Sequence, residues 1–222
     1  MARHVLHLER ELTRLRDLVL SLGTRVEESV QNAVKSLIER NTDLAKKVIE
    51  SDREIDLMEV EVEEECLKIL ALYQPVANDL RFIVSILKMN QDLERVGDLA
   101  ANVSERAIYL SSKEKMPIPF EINSMANLVK EMLRESLDAF VNADANLARK
   151  VCASDDAVDD LNREMYRQME SAMRDNPDRI KVFIQILSAS RYLERIADHA
   201  TNIAEDVIYF TEGEIIRHRG DL

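Results

Sequence analysis

The stretch LERVGDLAANVSERAIY, residues 93–109, is repeated 100 positions later as LERIADHATNIAEDVIY, residues 193–209. The residues common to both copies include acidic and amide side chains, which packing in a core would not by itself preserve. Further upstream, AKKVIESDREID (residues 45–56) matches ARKVCASDDAVD (residues 148–159) at an offset of 103. We therefore interpret the chain as two tandem repeats of one structural unit.

The composition indicates that both units are helical. The chain is 32% charged and 46% hydrophobic, with only 4 glycines, 4 prolines and no tryptophan, which is typical of a helix-rich protein. Pro75 and Pro177 precede the repeated motif in equivalent places, and Pro117 lies between the units, where it would end a helix. The predicted fold class is all-α, with three helices in each of the units 1–113 and 114–222.

Apolar residues recur every seven positions within the units. One row in the first unit consists of Val48, Ile55, Val62 and Ile69. Such sustained heptads indicate long helices that pack nearly parallel to one another. A helix of about 35 residues is roughly 50 Å long at a rise of ~1.5 Å per residue. Each unit is therefore predicted to be an elongated three-helix bundle.

The charge excludes one class of function. A formal net charge of −12 disfavours direct binding of nucleic acid, which requires clustered Lys and Arg, and it favours a basic partner. The sequence contains no run of 18 apolar residues and no signal peptide pattern, so we expect a cytoplasmic protein. Cys66 and Cys152 align with Met169 and Ile49 of the opposite units, which places them at core positions and predicts no disulfide.

Acidic residues spaced four apart occur on two predicted helices of each unit. The first unit has Asp52 and Asp56 on one helix and Glu94 and Asp98 on the next. The matching residues of the second unit are Asp155, Asp159, Glu194 and Asp198. If Val96 marks the apolar row, a turn of ~100° per residue places Glu94 and Asp98 on the side of the helix away from the core.

If the two helices are neighbours, the four carboxylates of a unit meet near the surface, where their repulsion favours protonation or a bound cation. An all-oxygen set suits hard ions such as magnesium, manganese, calcium or iron better than zinc. Asn102 and Asn202 could add an amide oxygen, and Glu28 and Glu131 a carboxylate from a third helix. One isolated pair of acids is usually a solvated surface. Its occurrence in both units favours a metal site.

Neighbouring residues have plainer interpretations. Arg95 and Arg195 are expected to pair with acids on their own helix. His199 replaces Leu99, so we interpret it as a surface or half-buried histidine rather than a ligand. The sequence shows no Ser/His/Asp or Cys/His constellation and no glycine-rich phosphate loop, which argues against an enzyme. A ferritin-like enzyme would need inward Glu-x-x-His motifs. A metal-free helical scaffold remains the alternative.

At these motifs the chain resembles the PhoU family of phosphate-uptake regulators. The resemblance rests on LERVGD, LERIADHATNIAE, SDREID, YQPVANDLRF (residues 73–82) and GEIIRH (residues 213–218), and it extends along essentially the whole chain. It implies two three-helix bundles side by side. It also implies multinuclear clusters of divalent or trivalent ions, iron and zinc among them, held by the four-spaced acids named above.

The resemblance also implies a role. PhoU-like proteins are cytoplasmic adaptors that help to shut off phosphate-starvation signalling when phosphate is plentiful. The implied partners are the ATPase subunit of a phosphate ABC transporter and a membrane sensor histidine kinase, so the chain would be peripheral to the membrane through its partners. Long exposed helices favour a homodimer.

Overall fold

The computed structural model describes residues 2–114 and 119–216. Pro117 and the last two residues of the 213–218 motif lie outside this described part. In the described part of the chain, six long helices and one short 3-10 turn follow one another. They are α1 (Ala2–Glu39), α2 (Thr42–Tyr73), α3 (Ala77–Ser111), α4 (Phe120–Asn142), α5 (Ala145–Asp175), the turn Pro177–Arg179 and α6 (Ile180–Glu212). The all-α prediction is confirmed.

The helices form two three-helix bundles that lie side by side, as predicted. Helices α1, α2 and α3 pack together, α4, α5 and α6 do the same, and α3 lies against α6. The predicted row Val48, Ile55, Val62 and Ile69 is buried along α2. The boundary between residues 113 and 114 stays a prediction. Of the helices described, none has a stretch both long and apolar enough to span a membrane.

The repeat is visible in the turn chemistry. Asn41 caps α2, and its side-chain oxygen accepts a hydrogen bond from the Leu44 amide at 3.0 Å. The equivalent residue before α5 is Asp144, whose carboxylate accepts from the Leu147 amide at 3.0 Å. These caps satisfy amide groups that the first turn of a helix leaves unpaired. Each bundle therefore begins its second helix in the same way.

Helices α3 and α6 run antiparallel through the middle of the molecule. Asp92 lies 2.7 Å from the His199 ring nitrogen, whereas Arg106, further along α3, donates to Gln185, further back along α6, at 2.8 Å. At one end of this contact the rings of Phe82, Phe140 and Phe210 pack with centroids 5.6–5.9 Å apart. The aromatic and polar contacts together join the two bundles.

Candidate metal sites

The first acid cluster lies in the seam between α2 and α3. We define it as Asp52, Asp56, Glu94 and Asp98. Burial, followed by the charges of Asp98 and Asp56, raises the pKa of Asp52 from 3.8 to about 6. Burial and the charge of Asp98 likewise raise the pKa of Glu94. The structure therefore brings together, within reach of one another's charge, the four carboxylates that the sequence pattern singled out.

Asp52 is the most constrained member of the cluster. Its Oδ1 atom is buried and has no hydrogen-bond partner among the described residues. A buried carboxylate oxygen without a partner is costly, since burial favours the neutral form unless hydrogen bonds or an opposite charge compensate. A cation placed beside this oxygen would remove that cost.

Gly97 allows this arrangement. A Cβ atom at that position would lie 3.0 Å from Ile55 Cδ1 and 3.2 Å from Asp52 Oδ1. Both distances are shorter than ordinary van der Waals contact, so the side chains of Ile55 and Asp52 would have to shift by a few tenths of an ångström to admit a larger residue. The glycine between Glu94 and Asp98 thus serves close packing of the two helices, and it brings the α3 backbone against Asp52.

Glu59 is a neighbour that the sequence comparison missed. Burial, then the charges of Glu63 and Asp56, raises its pKa, and its own charge contributes to the raised pKa of Glu94. Asn90 holds it in place, because its amide donates to Glu59 Oε1 at 3.2 Å. Glu59 lies about one helical turn beyond Asp56, and this spacing could have identified it as a further acid beside the cluster. The second unit has an asparagine at the equivalent position, so the repeat did not reveal it.

The second acid cluster lies in the equivalent seam between α5 and α6. It consists of Asp155, Asp159, Glu194 and Asp198. Burial, then the charges of Asp198 and Asp159, raises the pKa of Asp155 to about 6, and the pKa values of Glu194 and Asp198 are raised as well. The Thr201 hydroxyl, beside Asp155, acts in the opposite direction on its pKa. The same four positions are gathered in both bundles.

Glu94 and Asp98 are less exposed than the angular argument predicts. Their side chains are 25% and 40% exposed, so they border α2 and do not face away from the core. The reason is that α3 packs against α1, α2 and α6, which widens its buried surface beyond the row marked by Val96. An angle measured from one row cannot locate a face on a helix with three neighbours.

Arg95 forms the ion pairs expected of it. Its guanidinium donates to Asp98 at 2.9 Å and lies 3.4 Å from Glu94. In the second unit the charge of Arg195 lowers the pKa values of Glu194 and Asp198, against the larger effect of burial. The first cluster is therefore in direct contact with a positive charge, whereas the second lies near the charges of Arg191 and Arg195.

Asn202 and His199 belong to the contact between the bundles. Asn202 donates to Asp92 at 3.1 Å, and His199 contacts the same carboxylate oxygen at 2.7 Å. His199 is half-buried, within the range of exposure predicted for it, and its exclusion as a ligand stays a prediction. Asn102, at the equivalent place on α3, is also half-buried. The contact engages the amide nitrogen of Asn202 and leaves its carbonyl oxygen unassigned, so the ligand role of Asn202 stays a prediction.

The two glutamates proposed from a third helix lie in separate grooves. Glu28 is exposed, accepts a hydrogen bond from Arg25 at 3.1 Å and lines a groove with Lys47. Glu131 lines a different groove, between α1 and α4, together with Glu27. The equivalent positions of the repeat therefore have unlike surroundings, and the paired argument for these two residues is weakened.

In neither seam do the described carboxylates converge on a common centre where an ion could bind. Among residues 2–114 and 119–216, no group of three or more His, Cys, Asp or Glu side chains is arranged to hold an ion directly. The donor types fit a hard cation, and the partnerless Asp52 oxygen fits one too. Binding would therefore require side chains of the seam to rotate towards a common centre.

Comparison with known proteins identifies relatives along both bundles. The PhoU domain model matches residues 19–107 and 122–207. A phosphate-specific transport system accessory protein PhoU homolog of Aquifex aeolicus is 41% identical over 210 residues, covering 95% of each chain. The crystal structure of PhoU from Pseudomonas aeruginosa superimposes with a TM-score of 0.90 at 42% identity, covering 93% of this chain and 99% of that one. The phosphate transport system regulatory protein PhoU of Streptococcus pneumoniae gives 0.89 at 30% identity, covering 97% and 100%.

Proposed function

This chain belongs to the PhoU family, and we propose that it is an accessory regulator of a phosphate-specific transport system. Its relatives carry names of accessory or regulatory proteins, and the match extends along both repeats. In the proposed role the chain is cytoplasmic and contacts both the ATPase subunit of a phosphate ABC transporter and a sensor histidine kinase. Through these contacts it lowers phosphate-starvation signalling when phosphate is plentiful. A homodimer forms part of the same proposal.

The proposal includes metal binding by the two acid clusters, and one observation carries this part. The structure repeats a seam of mutually repelling carboxylates in both bundles, and in each seam the half-buried aspartate, Asp52 or Asp155, has its pKa raised to about 6. A divalent or trivalent ion, such as iron, manganese, magnesium or zinc, would supply the positive charge that these seams lack. The four carboxylates of each seam would hold it.

A bound ion would act on the repulsion between the carboxylates of the first cluster. Without a cation, Asp52 and Asp98 repel one another across the seam between α2 and α3. Gly97 has no side chain to keep Asp52 away from α3, so the Asp52 carboxylate lies against that helix in the range of the Asp98 charge. Neutralising it would favour the closed packing of α2 on α3. We propose that this state of the seam is the one that partner proteins bind.

The test compares two variants that lose the same number of carboxylates. In the first, each cluster loses its α3 or α6 acids. The substitutions are Glu94→Gln, Asp98→Asn, Glu194→Gln and Asp198→Asn. The control removes four exposed acids elsewhere. Its substitutions are Glu9→Gln, Asp17→Asn, Asp138→Asn and Glu170→Gln.

Elemental analysis after gel filtration, and phosphate repression of a reporter in cells, are the two measurements. We expect metal and repression to be lost in the seam variant and kept in the control. Equal metal content and equal repression in all three proteins would contradict the metal-dependent part of the proposal.

A metal-free helical scaffold is the second candidate. It is favoured by the separation of the carboxylates and by the contact of Arg95 with Glu94 and Asp98, which already neutralises part of the first cluster. In that case no metal is retained after attempted loading with iron, manganese, magnesium or zinc, while the parent still represses the reporter. The acids would then serve contacts with proteins.

A further inference from the structure

The outer face of α2 exposes a stripe of apolar side chains. Leu57, Val60 and Leu67 are 63%, 47% and 54% exposed, on the side opposite the buried Ile55. At ~100° and ~1.5 Å per residue they lie within about 80° of one another along roughly 15 Å of helix. We call these three residues the α2 stripe. Isolated exposed apolar residues need no explanation, but a row on one face can mark an interaction surface.

The second bundle shows that the fold itself does not require this stripe. The residues of α5 equivalent to Leu57, Val60 and Leu67, at the offset of 103, are Asp160, Arg163 and Glu170. They belong to a run of ion pairs within α5. These pairs are Arg163 with Asp160 at 2.6 Å, Arg167 with Glu164 at 3.0 Å and Arg174 with Glu170 at 3.0 Å. One repeat thus has a solvated, ion-paired face where the other has apolar side chains.

The surroundings of the α2 stripe are acidic. The nine residues Asp56–Glu64 contain five acids and no base. In this segment Glu61 and Glu63 lie on either side of the α2 stripe, and Glu64 lies on the same face of the helix as the stripe. All three glutamates are exposed. A partner seated on this face therefore meets an apolar centre and a negative rim.

The rim decides between the possible occupants. A second copy of this chain, placed face to face on the stripe, would bring two sets of these glutamates together, and like charges facing each other across an interface oppose association. An anionic lipid surface would be repelled in the same way. A basic amphipathic helix satisfies both features, because its apolar side packs on the leucines and its Lys or Arg residues meet the glutamates.

We propose that the outer face of α2 docks a basic amphipathic helix of another protein. This inference deepens the proposed function. The identity of the partner protein rests on the proposed function, whereas the docking surface rests on the structure alone. The bound helix would place apolar residues at spacings of three, four and seven against Leu57, Val60 and Leu67, with Lys or Arg beside Glu61 and Glu64.

The first experiment titrates this surface with model peptides. A helical peptide of about 18 residues, with leucine on one face and lysine beside it, would cover the stripe, and its glutamate counterpart has the same apolar face. The α2-stripe variant carries Leu57→Asp, Val60→Arg and Leu67→Glu, which are the residues of α5. The matched control carries Asp160→Ser, Arg163→Ser and Glu170→Ser. Circular dichroism verifies that both keep the helix content of the parent.

We expect the lysine peptide to bind the parent and the α5 control equally, and the α2-stripe variant at least about tenfold more weakly. The glutamate peptide should bind none of them. Equal affinity of the lysine peptide for the parent and the α2-stripe variant would overturn the proposal. So would binding of the glutamate peptide to the parent.

A second variant separates charge from apolar contact. Glu61→Gln, Glu63→Gln and Glu64→Gln keep the stripe and remove the rim. Its affinity for the lysine peptide should change less than that of the parent when salt is raised from about 50 mM to about 500 mM, because screening acts on exposed charge pairs. An unchanged salt dependence would contradict the role of the rim.

The last arm distinguishes this inference from the proposed function. The parent, the α2-stripe variant and the α5 control are each mixed with the purified ATPase subunit and with the cytoplasmic part of the kinase. Loss of binding to one of these partners in the α2-stripe variant alone supports both proposals. If the parent binds neither, the proposed function fails while the peptide result still decides the surface. If the α2-stripe variant binds both normally, the docking proposal is overturned and the proposed function stands.

Discussion

The two acid clusters hold the same four carboxylates in different surroundings. In the first bundle Gly97 lets α3 approach Asp52, and Arg95 contacts two of the acids. In the second bundle alanine replaces the glycine, and a threonine hydroxyl lies beside Asp155. The duplication has kept the carboxylates while their neighbours diverged. We infer that the carboxylates serve the shared function and that their neighbours adjust how each seam performs it.

The largest expected effect is the stabilisation of the protein by a bound metal. An ion that binds only the folded state at 100 times its Kd raises the free energy of unfolding by about 2.7 kcal/mol per site. Asp52→Asn with Asp98→Asn should remove the first site, and Asp155→Asn with Asp198→Asn the second. Thermal or urea unfolding with and without metal measures this. A parent protein with the same stability in both conditions would contradict metal binding in either seam.

The second largest effect is expected at Gly97, where the first bundle differs from the second, which has Ala197. Gly97→Val should lower the free energy of unfolding by about 1–3 kcal/mol, because its side chain has to displace Ile55 and Asp52 in a packed seam. The mirrored change, Ala197→Gly, should cost about 1–2 kcal/mol through helix propensity and the loss of a buried methyl group, with no crowding. Urea unfolding of both variants provides the comparison. If Gly97→Val leaves the free energy of unfolding unchanged, the close approach of α2 and α3 is not limiting.

The pH dependence of stability follows from the raised pKa values of the half-buried carboxyl groups. The pKa of Asp52 and that of Asp155 rise from 3.8 to about 6 on folding, so the folded protein binds these protons more tightly than the unfolded chain. Their stabilising contribution is complete below about pH 4 and is lost as the pH rises through about 6. Without metal, the free energy of unfolding should fall by about 1–3 kcal/mol in total from about pH 4.5 to about pH 7.5, after allowance for solvent screening.

A double variant verifies the source of this slope. Asp52→Asn together with Asp155→Asn removes the two carboxyls with the pKa of about 6 and should make the profile shallower in a chelating buffer. The slope that remains belongs to Glu59, Glu94, Glu194 and Asp198, whose pKa values are also raised. The lowered pKa values of Glu11 and Glu212 act in the opposite direction, since their contribution is lost as the pH falls through their range. Above about pH 4.5 that contribution is nearly complete, so it changes little over the measured range. A profile as steep in the double variant as in the parent would assign the slope to other groups.

The sequence predicted the helices, the repeat and the gathering of the four-spaced acids, because these follow from periodicity and spacing. The row containing Val48 and Ile55 is buried as its heptad requires. The sequence placed Glu94 and Asp98 on the side of α3 away from the core, whereas they border α2 with 25% and 40% of their side chains exposed. Helix α3 has three packing partners, and one apolar row does not report them all.

The repeat is not symmetric in the surroundings of the predicted ligands. Glu28 and Glu131 occupy equivalent positions, yet Glu28 lines a groove with Lys47, and Glu131 lines another groove with Glu27. Asn202 is turned towards Asp92 by the contact between α3 and α6. Glu59 was missed because its partner position had changed. Contacts between the bundles are absent from the sequence pattern of one bundle, so a comparison of repeats could not place these residues.

The smallest expected effect concerns Arg95, which contacts the acids of the first cluster, whereas no such contact is described for Arg195 in the second. Arg95 contacts Glu94 and Asp98, and a cation entering the first seam has to compete with it. Arg95→Ala should change the free energy of unfolding by only a few tenths of a kcal/mol, as exposed ion pairs do, and should raise the metal affinity of the first cluster about two- to fivefold. Arg195→Ala should have less effect on the second cluster, where the arginine acts through its charge on Glu194 and Asp198. Calorimetric titration of each variant, with the opposite cluster neutralised, measures both affinities, and an equal gain in the two clusters would show that direct contact is not what distinguishes them.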